Sequence, residues 1–180
     1  VIILGAAASS ALAFADSFGV GNRAMALGEA FTAVADDHAA TFYNPAGLSR
    51  LEGTQISAGA TFVVPHSTYN DTGSTRFVGS PTGGGNPSDY VPSVKTAPSI
   101  YASKKINEQW TVGAGLFVPY GAKLDYGNSW SGRYAITNIK LEAIALNPSV
   151  SFKLDQHHSF GFGVTAEYMK AELEIGRAHV

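Results

Sequence analysis

The feature that most constrains this chain is a two-residue rhythm that starts after Gly53 and runs almost to its end. In Gln55 to Pro65, the residues Ile56, Ala58, Ala60, Phe62 and Val64 share one face of an extended strand, and Gln55, Ser57, Gly59 and Thr61 share the other. Gln109 to Tyr120 repeats the pattern, with Trp110, Val112, Ala114, Leu116, Val118 and Tyr120 opposing Gln109, Thr111, Gly113 and Gly115. From Ser159 to Leu173, Phe160, Phe162, Val164, Ala166 and Tyr168 oppose Ser159, Gly161, Gly163, Thr165 and Glu167. Ile144, Leu146, Val150, Phe152 and Leu154 mark a further strand, with Ile139 and Leu141 out of phase, which predicts a bulge near Ala143. Ser93 to Ile106 is the least regular strand, and its Lys104 and Lys105 mark an end in water. The expected fold is all-β and antiparallel, with about five strands present.

Alternation alone does not say which face points outward. A soluble sandwich or barrel would turn the greasy faces inward. The opposite faces, however, carry Gly, Ser, Thr and Asn rather than Lys and Glu, and only 14% of the chain is charged, roughly half the usual share. Small neutral residues suit a partly filled lumen, and greasy faces suit lipid. No apolar run beyond the N-terminus approaches the ~20 residues of a membrane-spanning helix. Lipid offers no water to unpaired backbone groups, so such a sheet has to close into a barrel. About five strands cannot close at the ~10 residues per strand of outer-membrane barrels, so further strands are expected downstream. Short polar turns (105–109 and 155–158) alternate with long loops (67–92 and 121–137), the arrangement of such barrels with the turns facing the periplasm.

The ends read differently. Residues 1–15 form an apolar run closing on Ala13-Phe14-Ala15, the small-x-small pattern of an export signal entered partway. Residues 16–53 are Ala- and Gly-rich without alternation; Ala24 to Val34 offers a short helix, and Asn44-Pro45 a second helix start, with Asn as cap and Pro at a position whose donor is unpaired anyway. Residues 54–173 are the barrel strands. Residues 174–180, Glu174 to Val180, match the translation of a sequencing adapter and are expected to be a non-native tail. The absence of cysteine rules out disulfides and thiolate metal sites.

Taken together, these residues resemble the FadL family of outer-membrane hydrocarbon transporters, over Ser17 to Glu172. Gly19-Val20-Gly21-Asn22-Arg23-Ala24, then Ala35-Asp36-Asp37, then Asn44-Pro45-Ala46 look like the family's N-terminal hatch. Asn107-Glu108-Gln109-Trp110 resembles the turn into the third strand, Pro119-Tyr120-Gly121 falls where that strand is kinked, and Ser159-Phe160-Gly161-Phe162-Gly163 resembles the start of the fifth. The resemblance implies a plugged, monomeric barrel of about fourteen strands in the outer membrane of a Gram-negative bacterium. It implies passive transport of long-chain fatty acids or aromatic hydrocarbons, with lateral release into lipid through a gap at the third-strand kink. The hatch would gate through Asn44, Pro45 and Ala46, and the gap would form at Pro119, Tyr120 and Gly121. The alternative is a structural or adhesive barrel that displays loops.

Several groups invite chemistry and have plainer roles. Asp36 and Asp37 after a helical stretch are expected to be solvated or capping; His157-His158 lacks further metal ligands; Gly83-Gly84-Gly85 lacks the Lys-Ser/Thr of a phosphate loop. Trp110, Tyr120, Trp130, Tyr134 and Tyr168 are candidates for interfacial girdles or loop packing. Arg23, Lys123 and Arg133 are candidate partners for a fatty carboxylate, yet the family's basic residues lie further along, so no head-group ligand is assigned. No nucleophile, base and orienting group stand at readable spacing, so no enzyme is expected, and no cofactor, metal or nucleic acid.

Overall fold

The computed structural model describes residues 20–64, 94–128, 133 and 136–175. The export-signal, glycine-triplet, Trp130 and Tyr134 expectations lie outside those residues, as does all of the expected tail beyond Ile175. Two short helices, α1 (Asn22–Ala26) and α2 (Ala40–Tyr43), and a 3-10 helix (Pro45–Arg50) precede seven strands. These are β1 (Thr54–Val63), β2 (Lys95–Lys105), β3 (Trp110–Phe117), β4 (Gly121–Asp125), β5 (Asn138–Lys153), β6 (Ser159–Gly163) and β7 (Ala166–Glu174), joined antiparallel in one sheet.

The seven segments are five strand runs, two of them interrupted. β6 and β7 face β5 in one unbroken register, Gly163 opposite Ser149 and Ala166 opposite Leu146. Between them Val164 donates its N–H to the Pro148 carbonyl, and proline has no N–H to return, so the ladder lapses for two residues. β3 and β4 are likewise one run, broken at residues 118–120. Glu174, expected in the tail, is the last residue of β7.

The two faces of the sheet differ as the alternation requires. Ile56, Phe62, Ile100, Trp110, Leu116, Leu146, Phe160, Phe162 and Tyr168 stand on a bare face, 43 to 75% exposed. Ser103, Thr111, Asn147, Ser149 and Ser151 are buried on the opposite face, because residues 20–53 lie on it. A soluble sandwich would show the reverse arrangement.

The N-terminal unit has a core of its own, Ala24, Phe31, Ala35, Ala39, Ala40, Leu48 and Leu51. Its helix is shorter than the sequence suggests. α1 stops at Ala26, since Gly28 and Glu29 both take positive φ (61° and 64°) and the chain continues in turns to Val34. Gly21 turns at φ 90° against Ala39, where a Cβ would come within 2.8 Å of the Ala39 Cβ.

The bulge expected near Ala143 is not on β5. That strand runs straight through, holding one register with β7 from Asn138 to Leu146. The extra residue is on the neighbouring run: Phe117 faces Ala145 while Gly121 faces Glu142, so three residues oppose two. Continuing both registers inward pairs Val118 with Ile144 and Tyr120 with Ala143, and leaves Pro119 unopposed. Ile139 and Leu141 therefore share the covered face with Ala143 and Ala145. Their phase differs because the surroundings change along the strand, not because the backbone does.

Candidate functional site

Two regions carry the candidate residues. The first is the contact of Asn44, Pro45 and Ala46 with the sheet. The Asn44 side chain accepts the Ala46 N–H (3.3 Å) and donates to the Thr32 carbonyl (3.1 Å), capping the 3-10 helix and tying it back to the preceding turn. The Ala46 carbonyl accepts from Ser49 (2.9 Å) within the unit and from Ser151 and Ser159 of the sheet, both at 3.2 Å. Ser149 donates to the Thr41 carbonyl at 2.9 Å. Bare glycines complete the seat: a Cβ on Gly161 would lie 2.0 Å from the Ala46 nitrogen, and one on Gly163 3.2 Å from the Pro45 ring. Ser159-x-Gly161-x-Gly163 thus has small residues on the covered face to admit this segment, with Phe160 and Phe162 on the bare face. The sequence showed the small residues; that they serve the Ala46 carbonyl, more than a hundred positions away, was a tertiary fact.

Of the charged residues of the same unit, Asp37 takes the expected capping role, and Asp36 forms an ion pair that was not expected. Arg23 pairs with Asp36 at 2.7 Å, and Asp37 accepts the Ala39 N–H at 2.7 Å at the start of α2. Arg23 is thus engaged by a carboxylate. Lys123 lies opposite Lys140 on the bare face, away from the covered side. In the 155–158 turn Asp155 accepts the N–H groups of His157 and His158, both at 2.7 Å, and meets the His158 ring at 2.9 Å. The His157 N–H above all, then the His158 ring, hold the Asp155 carboxyl below its usual range.

The second region is the break at Pro119. β2 pairs with β3 only as far as Ser99 opposite Phe117, although β2 continues to Lys95 alongside β1. Beyond the break, β4 pairs with β5 alone among the described residues. Between residues 95–98 of β2 and β4, then, no ladder joins the wall. Pro98 stands on the β2 side of that opening and Pro119 on the other, each lacking a donor. Pro98 escaped the sequence reading, although a proline inside a strand candidate is itself a sign of an unpaired side.

Tyr120 corrects an expectation. The strict alternation put it on the greasy face as a girdle residue. With Pro119 unopposed, the phase flips and Tyr120 turns to the covered face, where its hydroxyl donates to the Glu167 carboxylate at 2.8 Å. Past the break the covered face becomes apolar, with Ala122 and Leu124 of β4, Ile139 and Leu141 of β5, and Met169 and Leu173 of β7 meeting across the ladder. The bare face becomes charged at the same level: Lys140 pairs with Glu142 (3.0 Å), and Lys170 with Glu172. The greasy stretch of the bare face thus ends near Ile144 and Tyr168.

The two regions touch. Phe117, two residues before Pro119, is buried against Tyr101 (centroids 5.9 Å) and meets Phe42 of the N-terminal unit edge-on at 5.3 Å, with Val20 and Ala145 alongside. A cavity of about 210 Å³ separates the front of the unit from β1 and β2, walled in part by Asn22, Asp37, His38, Ser57, Ser99 and Tyr101. Among the described residues the Tyr101 hydroxyl and His38 Nδ1 are buried with no hydrogen-bond partner, so this space suits water.

Comparison with known families settles the larger identity. The profile of the family described as outer membrane protein transport protein (OMPP1/FadL/TodX) matches residues 2–178. The chain belongs to that family. It is 28% identical over 151 residues to the long-chain fatty acid transport protein of Escherichia coli K12, covering 82% of this chain and 32% of that protein. It is 33% identical over 177 residues to outer membrane protein P1 of Haemophilus influenzae, covering 93% of this chain and 38% of that protein. It therefore spans about a third of the length of these relatives. The crystal structure of a Pseudomonas aeruginosa FadL homologue superposes with a TM-score of 0.56 at 22% identity, over 77% of this chain and 34% of the other, which establishes the shared fold.

As a FadL-family member the chain lies in the Gram-negative outer membrane, which it crosses by strands, and the sheet is part of an antiparallel barrel. The bare greasy face is accordingly the lipid face. Val164, midway along it between Phe160 and Tyr168, tests that orientation. Val164→Lys is expected to lower the unfolding free energy in phospholipid vesicles by about 2–4 kcal/mol, while Gln55→Lys on the covered face changes it by less than about 1. Equal effects in urea titrations would reverse the assignment of faces.

Proposed function

We propose that the complete protein takes up hydrophobic molecules, long-chain fatty acids or aromatic hydrocarbons, and releases them sideways into the membrane. Residues 20–53 act as a hatch inside the barrel. The observation that carries this reading is the break at Pro119, where the unpaired wall between β2 and β4 separates an apolar patch on the lumen side from the lipid face. Cargo held against Leu124, Ile139, Leu141 and Met169 lies just beyond the level of Ile144, where the greasy outer face ends, so a short move along the strands and through the break brings it to lipid. An acyl chain favours hydrocarbon over water by ~0.8 kcal/mol per CH₂, so the lateral route keeps it out of the wet lumen and needs no energy source. The relatives named for long-chain fatty acid transport support the substrate class.

In this scheme the Asn44-Pro45-Ala46 seat holds the hatch against the wall, and Phe42 on Phe117 carries its position to the break. Further strands, supplied by the rest of the protein, close the barrel, which works as a monomer.

The test is uptake of radiolabelled oleate and of toluene by cells lacking their own transporter and expressing the full-length protein. Uptake of at least one above the empty-vector level is expected. Asn44→Ala, which removes a cap worth about 1 kcal/mol, is expected to slow that uptake severalfold while heat-modifiable barrel is made in normal amount. No uptake of either compound would leave the loop-display alternative; loss of barrel in step with uptake would leave Asn44 a structural role only.

A further inference from the structure

Tyr120 is the last residue of the break, yet its hydroxyl is held on the far side of β5 and not in the opening. It crosses the covered face of β5 above Ala143 and Ala145, which are 6% and 0% exposed, and reaches a residue on the far neighbour of that strand. Glu167 sits opposite Ala145 in the β5–β7 ladder and so shares the lumen face. The 2.8 Å bond from the Tyr120 hydroxyl to its carboxylate therefore spans β5 from one side to the other. The small side chains at 143 and 145 are what make this crossing possible. Glu142, the carboxylate on β5 itself, is on the outer face and is paired with Lys140. The brace is thus the lumen-side polar contact made by the bulged residues.

From this geometry we propose that Glu167 is a positioning residue for lateral release: it holds Tyr120 down on β5, keeping the ring out of the gap beside Pro119. This rests on the break being the exit. Without the carboxylate the Tyr120 ring is no longer tied to β5, and the unpaired opening bordered by Pro98 and Pro119 lies on the other side of its strand. A charge-assisted bond is the strongest kind available to a phenol, and one such anchor suffices to bias a ring between two positions. The lumen-side apolar patch and the hatch seat do not involve Glu167, so loading of cargo is independent of it while its departure is not.

The experiment uses the full-length protein with oleate as probe and reads three quantities: initial uptake rate, oleate affinity in detergent, and heat-modifiable mobility as the measure of barrel formation. Tyr120→Phe deletes one oxygen and Glu167→Ala deletes the acceptor. Each is expected to lower uptake by roughly fivefold to tenfold with affinity unchanged, as loss of one solvent-accessible hydrogen bond implies. Because both remove the same bond, the double variant is expected to be no slower than the slower single one. Glu167→Gln keeps an acceptor oxygen and is expected to retain at least about half the uptake. The proposal is overturned if Tyr120→Phe transports normally, if the two effects multiply, or if Glu167→Gln is as slow as Glu167→Ala. Should Glu167→Ala not assemble, Tyr120→Phe and Glu167→Gln decide the matter by themselves. A wild-type protein that takes up no oleate or toluene at all would sink the exit reading beneath it, which these single variants cannot do.

Discussion

Deleting Pro119 is expected to give a folded barrel that has lost lateral uptake. Phe117 faces Ala145 and Gly121 faces Glu142, so removing one residue between them brings both flanks into a single register. Val118 would then face Ile144, and Tyr120 would face Ala143 on the side it already occupies. No side chain has to change face, which is the usual penalty of a register shift. The straightened run can extend its ladder toward residues 95–98 of β2, which still have unpaired groups on that side. Two restored ladder bonds at about 0.5–1.5 kcal/mol each shift an open–closed balance by about tenfold or more toward a sealed wall. Initial oleate uptake should fall by that factor with affinity for oleate and heat-modifiable mobility intact. Uptake at the wild-type rate would show that cargo leaves by another way. Substituting Pro119 without deleting it should do much less, since the extra residue rather than the missing N–H alone produces the break.

The second large effect is expected from Gly161→Val. A Cβ at this position would lie 2.0 Å from the Ala46 nitrogen, 2.3 Å from the Pro45 carbonyl carbon and 2.7 Å from the Ala46 Cα. All three are backbone atoms of a segment held by Ser151, Ser159 and its own Asn44 cap, so no flexible side chain can yield. Overpacking of this kind costs about 1–3 kcal/mol, comparable to the serine bonds that seat the hatch, and it is relieved if the segment lifts away. Amide exchange at Ala46 and Gly47 should then rise by about tenfold or more, and cells should become sensitive to a bulky polar antibiotic that the seated hatch excludes. Phe162→Val, one residue on but facing lipid, should leave both unchanged. Unaltered exchange in Gly161→Val would mean that the strand, not the hatch, gives way.

Much of this architecture is local and therefore readable. Whether Ile56 and Phe62 share a face is decided by the pleat of one strand, and the Asn44 cap is decided by a side chain and an N–H two residues away. The five strand runs and the small-residue faces follow from such facts, whereas the expectation of a kink at Pro119-Tyr120-Gly121 came from the family resemblance. The phase of Ile139 and Leu141 shows how far they reach. Apolar residues mark what is shielded from water, and the outer surface passes from lipid to water near Ile144; the pattern flips there while the backbone runs straight.

What the chain could not declare by itself were relations between segments distant in sequence. A disturbance near Ala143 was legible, but a strand pair contains two strands, and only their pairing puts the extra residue at Pro119 instead of on β5. That choice turns Tyr120 from lipid to lumen, brings it to Glu167 forty-seven positions away, and ends the β2–β3 ladder at Phe117. The Ala46 carbonyl between Ser151 and Ser159 is of the same kind, since more than a hundred residues separate donor from acceptor. Periodicity is a property of one strand and was written in the sequence; register is a property of two, and only the folded chain supplies the second.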